Sequence, residues 1–304
     1  MWFRDVYFAG WVHEPLIAGV TINWKDVLIS ALLFGPMLIA LGCALGRKTG
    51  APRWLAYSAM MPFLLIAYEP GVLVFPYDIV MSARFARDPP VWAAADVLPH
   101  LDHFIAPANF SRLQAEIRGL RQAQVPLLGE SWSNMDDIAT ADWRLLPVRT
   151  LGRTHAGAAA RMPVLAAMLE SRPDIVTACV SRLAGNSHIP AHSGVFKGVV
   201  RVHIGVDVPE PDAATLTVDG RPLHWREGEA ISFDDLFVHS VAHNGTQSRS
   251  VLWLDVLRPG LRGDDWAGVA ARKMLGWLNA SSWIREVERR SERLVPLVRP
   301  QSAR

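Results

Sequence analysis

The chain has 304 residues, half of them apolar, and a formal net charge of +2. This length is sufficient for a large buried core, and a charge so close to zero argues against a nucleic-acid-binding surface. The two cysteines, Cys43 and Cys179, lie far apart in apolar sequence, which indicates free thiols in a reducing compartment.

Two apolar runs occupy the first quarter of the chain. Residues 27–46 carry no charge and form a run long enough to cross a bilayer, which takes about 20 apolar residues in a helix. Residues 54–77 are apolar except for Glu69 and contain prolines, so they predict a kinked second span or a re-entrant hairpin, because a carboxylate at mid-bilayer is costly. Burial as core helices of a soluble domain is the alternative. We predict a membrane-anchoring region over 1–87 with one or two transmembrane segments.

Basic residues beside these runs do not define one orientation. The positive-inside rule places the loop with Arg47 and Lys48 in the cytosol, and two full spans would then send the rest of the chain to the far side. Arg4, Lys25 and Arg84 favour the reverse. The orientation therefore has to be decided by the chemistry.

A second domain is predicted over 96–262, after an extended Asp88-Pro89-Pro90 linker. Its first part has apolar residues at helical spacing, which predicts helices at 111–124 and 156–171. Its second part changes to a period of two. In the run 199–208 valine and isoleucine alternate with other residues, so Arg201 and His203 should share one face of a strand.

Two turn signals separate short β-branched runs in this domain. Asp219-Gly220 and Asn244-Gly245 each lie between such runs and predict two β-hairpins. If the strands on either side of Asn244-Gly245 pair as a hairpin, Arg249 would lie across from His239. Short strands joined by tight turns and preceded by helices indicate a mainly β fold with flanking helices, either a sandwich or an open barrel.

His192 and His239 are the candidate metal ligands. Non-haem iron oxygenases commonly bind the metal through His-x-Asp/Glu and a distant histidine. Here the third position of that motif is Gly194, so the pattern of residues alone leaves metal binding open.

Several segments together resemble the aspartyl/asparaginyl β-hydroxylase family, across about 177–259. They are Ser187–Gly194, Arg201–Gly205, Trp225–Gly228, Phe233–Asp235, His239 and Arg249–Pro259. The resemblance implies a double-stranded β-helix (jelly-roll) domain that uses Fe(II), 2-oxoglutarate and O2. It also implies a two-histidine iron site in which a glycine replaces the usual carboxylate, as Gly194 would.

Residue by residue, the resemblance assigns roles to six side chains. His192 and His239 match the iron ligands and are the catalytic pair. Arg201 and His203 match the contacts to the oxoacid end of 2-oxoglutarate. Ser181 and Arg249 match the pair that holds its distal carboxylate, for which an arginine fork is well suited.

Other polar residues of this region have structural interpretations. Pro190 argues against a helical pair of His188 and His192, so His188 is assigned to the surface or the surroundings of the site. His243 is predicted to be a turn residue. Asp234 and Asp235 could supply the missing carboxylate, but tight-turn hydrogen bonding is the favoured role. Arg201 could instead pair with a structural carboxylate.

The tail, 263–304, is predicted to be an amphipathic helix. We expect Trp266, Val269, Met274, Trp277 and Leu278 on one face, followed by several arginines. Such a helix can lie on an anionic bilayer or pack on the barrel, and packing is the favoured interpretation.

The resemblance and the apolar runs predict a membrane-anchored hydroxylase of a lipid acyl chain, of the lipid A type, with ornithine lipid as the next candidate. Supply of 2-oxoglutarate places the catalytic domain on the cytosolic side of the inner membrane. Hydroxylation of a peptidyl aspartate or asparagine is the alternative. A β-barrel binding protein without catalysis is a third interpretation, against which the joint presence of all six site residues argues.

Overall fold

The computed structural model of the chain describes residues 24–45, 53–127, 142–194 and 196–294. The predicted loop at Arg47 and Lys48 and the first 23 residues of the predicted membrane region lie outside these ranges. The helices are α1 (Trp24–Leu45), α2 (Arg53–Tyr68), a 3-10 turn (Pro70–Leu73), α3 (Val74–Arg84), α4 (Ala94–Val97), α5 (Asp102–Ile105), α6 (Pro107–Arg118), a second 3-10 turn (Gln122–Gln124), α7 (Ala156–Arg161), α8 (Pro163–Glu170), α9 (Trp266–Asn279) and α10 (Ser282–Leu294).

The strands form two antiparallel sheets. They are β1 (Val91–Trp92), β2 (Trp143–Thr150), β3 (Arg153–Thr154), β4 (Ile175–Leu183), β5 (Ser187–His192), β6 (Val199–Asp207), β7 (Ala214–Val218), β8 (Arg221–His224), β9 (Ala230–Phe233), β10 (His239–His243) and β11 (Arg249–Leu257). The larger sheet has the order β1-β9-β6-β11-β4-β2-β3, and the smaller has the order β5-β10-β7-β8.

From β4 onward the chain passes back and forth between the two sheets. Strands β4, β6, β9 and β11 belong to the larger sheet, and β5, β7, β8 and β10 belong to the smaller one. Eight antiparallel strands divided in this way form a jelly roll. The prediction of a mainly β, double-stranded β-helix domain with flanking helices is therefore confirmed by the strand order.

One predicted hairpin is confirmed and the other is wrong. Strands β7 and β8 pair around Asp219 (φ 48°) and Gly220 (φ 75°), and a two-residue loop with both φ values positive is the type I′ turn. The segment with Asn244-Gly245 instead crosses between sheets, since β10 pairs with β5 and β7 while β11 pairs with β4 and β6. Arg249 and His239 therefore lie on facing sheets rather than on one hairpin.

The two helices predicted in the domain differ in extent from the observed ones. The first, α6, begins earlier at Pro107 and ends at Arg118. The second is divided into α7 and α8 at Pro163. Proline cannot donate to the preceding turn but suits the first turn of a new helix, so it separates the two segments.

The larger sheet is buried on both faces. The outer face carries Val200, Val202 and Ile204 of β6 and packs against the domain's helices through Phe104 and Ile117. The inner face contributes side chains such as Cys179, Val251 and Trp253 to a second cluster shared with the smaller sheet. Ser181 of β4, Arg201 and His203 of β6 and Arg249 of β11 are in alternation with the inner-face residues and therefore point between the sheets.

Among the helices in the described ranges, none combines on its own the length and the apolar composition that a membrane span requires. The segments Pro62–Tyr68 and Pro70–Arg84 pass that test by length and composition together, with a bend of 117° between them. The carboxylate of Glu69 lies at this bend and accepts hydrogen bonds from the backbone N–H of Ser282 at 3.0 and 3.1 Å. Glu69 therefore caps α10, which brings the bend after α2 into direct contact with the last described helix.

The prediction for the tail is corrected in one respect. Met274 and Leu278 of α9 are buried against an apolar cluster that also includes Val72 and Phe75, whereas Trp266, Val269 and Trp277 are exposed. The two groups thus lie on opposite sides of the helix, and α9 packs on the protein with one side only.

Candidate active site

His192 and His239 face each other at the junction of β5 and β10. They are directly paired across the two strands, and their ring centroids lie 4.2 Å apart with an interplanar angle of 50°. The histidines predicted as ligands from positions far apart in the sequence are therefore adjacent.

Both imidazoles are oriented by the same local hydrogen bond. Nδ1 of His192 lies 2.8 Å from the carbonyl oxygen of Pro190, and Nδ1 of His239 lies 2.9 Å from that of Phe237. Because a carbonyl only accepts, each Nδ1 carries the proton and each Nε2 keeps its lone pair. Burial lowers the pKa of His192 to about 4 and that of His239 well below its usual value, so both rings are neutral at pH 7.

Asp235 fills the space beside Gly194. A Cβ atom at position 194 would overlap the carboxylate of Asp235, and the Gly194 N–H donates to the Asp235 carbonyl at 2.6 Å. Oδ1 of Asp235 is buried without a hydrogen-bond partner among the described residues. Burial raises the pKa of this carboxyl to about 6 against the opposing effect of Arg201. The sequence leaves Asp235 as a possible source of the missing carboxylate but favours a turn role for it. The spacing of residues does not predict that its carboxylate contacts Gly194.

Arg201 is held between two carboxylates on the inner face. Its guanidinium lies 2.8 Å from Asp235 and 2.8 Å from Asp255, and it stacks 4.0 Å above the ring of Trp253. Nε1 of Trp253 also donates to Asp255 at 2.8 Å. Although burial acts in the opposite direction, the two carboxylates raise the pKa of Arg201. Arg201 therefore has two carboxylate partners, Asp235 and Asp255, as the alternative interpretation of this residue predicted.

His203 and Arg249 are buried next to one indole. The Arg249 guanidinium lies 4.3 Å from the ring of Trp225, and the His203 ring lies 6.0 Å from the same ring. Phe233 then connects this group to the pair of His192 and His239, since its ring is 5.3 Å from both His203 and His239. Trp225 and Phe233 therefore join Arg249 and His203 to His239.

Several polar atoms in this site are buried without partners, within the described part of the chain. They are the donors Nε and Nη1 of Arg249 and Nε1 of Trp225, and the two ring nitrogens of His203, one of which donates and one of which accepts in a neutral ring. Burial lowers the pKa of Arg249 to about 9, with no carboxylate acting against it. A cationic side chain with uncompensated donors is costly to bury, so the site is built to receive an anion with several acceptor atoms.

Ser181 lies on the inner face of the larger sheet, close to the level of Arg249. It pairs with Val251 on β11, two residues from Arg249, and its hydroxyl oxygen accepts from Nε1 of Trp143 at 3.0 Å. The hydrogen bond from Trp143 orients the buried hydroxyl of Ser181. Because the oxygen accepts this bond, the hydroxyl can still donate its hydrogen to a ligand.

Asp234 has a separate role. It forms buried ion pairs with Lys197 at 2.5 Å and with Arg258 at 2.7 Å, and its other oxygen accepts from the Leu236 N–H at 3.2 Å in the predicted tight turn. Arg258 continues to Asp88 at 2.8 Å. The predicted linker is thereby fixed to the barrel.

The remaining histidines agree with their structural interpretations. His188 is exposed on β5, and Nε2 of His243 lies 2.8 Å from the carbonyl oxygen of Gln247 in the connection to β11. Across the ranges that the structure covers, no group of three or more His, Cys, Asp or Glu side chains is arranged to hold a metal ion. Near Gly194 the structure brings together the two imidazoles and the Asp235 carboxylate.

An antiparallel jelly roll with this strand order defines the class of double-stranded β-helix proteins, and two paired imidazoles and a buried arginine lie between its sheets. The family model for aspartyl/asparaginyl β-hydroxylase matches residues 107–259, half of the chain. The chain belongs to this family of hydroxylases.

Individual relatives agree with this assignment. The chain is 30% identical over 155 residues to the ornithine lipid ester-linked acyl 2-hydroxylase of Rhizobium tropici, a match that covers 50% of this chain and 55% of the relative. It is 26% identical over 126 residues to the human aspartyl/asparaginyl beta-hydroxylase, covering 40% of this chain and 16% of that protein. The chain thus spans about half or less of the length of these curated relatives.

Among solved structures, a 2OG-Fe(II) oxygenase family oxidoreductase from Burkholderia pseudomallei is similar over 58% of this chain and 89% of its own length. Its TM-score is 0.37 and the sequence identity is 17%.

Proposed function

We propose that this protein is an Fe(II)- and 2-oxoglutarate-dependent dioxygenase that hydroxylates an acyl chain of a membrane lipid. The observation that carries the proposal is the pair of imidazoles beside the buried, uncompensated Arg249. Iron and a dicarboxylate are the two groups that these side chains suit.

His192 and His239 would hold the iron. Both rings are neutral and present Nε2 lone pairs, as nitrogen ligands of Fe(II) require. Asp235 would remain beside the metal rather than bind it directly, because Arg201 already holds one end of its carboxylate. The unpaired Oδ1 of Asp235 can accept a hydrogen bond from a group in the position that a carboxylate at 194 would otherwise take.

Arg249 and Ser181 would hold the distal carboxylate of 2-oxoglutarate. Arg249 supplies unpaired donors at Nε and Nη1 of a rigid guanidinium, and charge-assisted hydrogen bonds from arginine to a carboxylate are among the strong ones in proteins. His203 would contact the oxoacid end, where Arg201 contributes positive charge. Binding of the dicarboxylate would satisfy donors that are otherwise buried without partners.

When bound, iron and 2-oxoglutarate supply the oxidising chemistry by which one atom of O2 enters a C–H bond of the substrate. The chain's own part is to position these groups and to exclude water. Trp225, Phe233 and Trp253 surround His203. An apolar lining of this kind protects a reactive site from water and strengthens the electrostatic contacts within it.

A membrane lipid is the proposed substrate because of the exposed apolar surface of α1–α3. Large apolar side chains are exposed on these helices, at Leu28, Leu32, Leu38, Ile39, Met60, Phe63, Leu64, Tyr68 and Val80. Such a surface marks a membrane or protein contact. The Rhizobium tropici relative favours an ornithine lipid as the substrate, with lipid A as the alternative. The proposed location is the inner membrane, with the catalytic domain on the cytosolic side, where 2-oxoglutarate is supplied.

The enzymatic part is tested by conversion of 2-oxoglutarate to succinate by the full chain with Fe(II). We expect turnover by the natural sequence, loss of turnover in His192→Ala, and retention in His188→Ala. The last variant is a matched control, because His188 is an exposed histidine on the same strand. Full turnover in His192→Ala would refute the proposed iron site.

The substrate is tested by mass spectrometry of lipids from cells with and without the protein. Gain of one oxygen on an ornithine lipid or on lipid A would support the proposal and would separate the two lipids. Unchanged lipids together with a hydroxylated aspartyl or asparaginyl peptide would support the alternative suggested by the human relative.

A further inference from the structure

One side of α9 presents two tryptophans to the surface. Trp266 and Trp277 are 59% and 41% exposed, and Val269 between them is also exposed. At 3.6 residues per turn these three side chains and Lys273 lie within about 80° of the helix surface. We call these four residues the tryptophan stripe.

The exposure of the stripe does not result from a poorly packed helix. The opposite side of α9 buries Ala267, Ala271, Met274 and Leu278 completely or nearly so. The helix is also capped by the Asp265 side chain, which accepts from the Gly268 N–H at 2.9 Å. The helix is therefore fixed, and the stripe is held outward.

The composition of the stripe and its surroundings fits the surface of an anionic bilayer. Indole rings favour the boundary between acyl chains and headgroups, and a lysine among them can reach the headgroups. Between positions 266 and 294 there are six basic and three acidic side chains. In α10, Arg285, Arg289 and Arg293 are all exposed at intervals of one helical turn, so positive charge lies close to the stripe in sequence.

The stripe is also continuous with the N-terminal helices. The Arg84 guanidinium lies 5.2 Å from the ring of Trp266, and exposed Val80 lies one turn before Arg84 on α3. The stripe thus meets the apolar surface of α1–α3 at Arg84.

We propose that the tryptophan stripe is a second membrane contact, which lies in the headgroup region of an anionic bilayer and orients the jelly roll toward its lipid substrate. The inference rests on the proposed function for the identity of the substrate. The contact itself is a separate property of α9.

The contact is tested with a spin label on the full chain. The label is placed by Val269→Cys in a background of Cys43→Ala and Cys179→Ala, and the protein is reconstituted in vesicles of phosphatidylethanolamine and phosphatidylglycerol. A matched control carries the label at Arg221→Cys, an exposed position on β8, the edge strand farthest from His192 in the smaller sheet. We expect the label at 269 to collide more with oxygen than with a water-soluble nickel chelate, and the label at 221 to do the reverse.

Three results would overturn the proposal. Equal access of the nickel chelate to both labels would place the stripe in water. Dipolar broadening between labels at 269 would show that a second copy of the chain covers the stripe. Equal immersion in neutral phosphatidylcholine vesicles would remove the role of anionic lipid.

Succinate formation by the same preparations separates this proposal from the proposed function. Loss of turnover with an immersed label would count against the dioxygenase and not against the membrane contact. A Trp266→Ser/Trp277→Ser variant should retain succinate formation while its lipid hydroxylation in vesicles falls several-fold, because both side chains are exposed at the surface and neither is among the residues assigned to the site.

Discussion

The carboxylate of Asp235 occupies the space that a side chain at Gly194 would need. Gly194 is therefore part of a packed arrangement, in which the segment between β9 and β10 places the Asp235 carboxylate beside it. The arrangement fixes this carboxylate through Arg201 at 2.8 Å.

A side chain at position 194 should therefore be harmful. We expect Gly194→Ala to lower the free energy of unfolding by about 1–3 kcal/mol, as overpacking of a buried site does. Because the strain comes from Asp235, Gly194→Ala/Asp235→Ala should cost less than the sum of the two single changes. Urea unfolding of the four proteins measures this coupling.

Gly276→Ala is the control for the glycine. Nothing lies within 4 Å of the Cβ that this change would add, and in a helix alanine is favoured over glycine by about 1 kcal/mol. Stabilisation at 276 with destabilisation at 194 is the expected contrast. Additive effects of the changes at 194 and 235 would contradict the proposed overlap.

Removal of the charge at Arg249 should raise the stability of the ligand-free chain and weaken binding of 2-oxoglutarate. Arg249 is buried without a compensating carboxylate, so Arg249→Met should raise the free energy of unfolding of the ligand-free chain. The KM for 2-oxoglutarate should rise by at least about tenfold, equivalent to about 1.4 kcal/mol. Arg249→Lys keeps the charge but loses the fork, and is expected to weaken cosubstrate binding chiefly. An unchanged KM in the methionine variant would exclude Arg249 from the cosubstrate site.

Asp255 should act on the cosubstrate through Arg201. It holds Arg201 at 2.8 Å and is itself held by Trp253, so Asp255→Asn loosens the guanidinium without touching the two imidazoles. We expect a higher KM for 2-oxoglutarate and unchanged affinity for Mn(II), a redox-inert probe of the metal site. Equal loss of both affinities would indicate general damage to the fold.

Metal binding should resist mild acid. Imidazoles with ordinary pKa values near 6.5 each become protonated below that pH and cease to bind metal. Burial disfavours the charged form and lowers the pKa of His192 to about 4 and that of His239 well below its usual value. Mn(II) affinity measured by calorimetry should therefore change little between about pH 7 and pH 5.5. A steep loss that begins near pH 6.5 would contradict neutral, buried imidazoles.

The local patterns were sufficient for much of the fold. Alternation in β6 placed Arg201 and His203 on one face because side chains of a strand alternate whatever its partners are. Asp219-Gly220 predicted its hairpin because only a few residue types accept two positive φ values. The Asn244-Gly245 prediction was wrong because a turn sequence does not specify which strands pair. Strand β11 pairs along its length with β4 and β6 of the larger sheet instead of with β10.

The sequence by itself determined the family: residue type and spacing left metal binding open, and the resemblance to that family is what predicted the two histidines, the arginines and the glycine as one site. Only the tertiary structure decided that Asp235 fills the space beside Gly194, that Asp255 and Trp253 hold Arg201, and that the tryptophans of α9 face outward while Met274 and Leu278 face inward. These contacts join residues from different strands and helices. Such contacts depend on how the sheets and helices pack, and the spacing of residues within one element does not predict that packing.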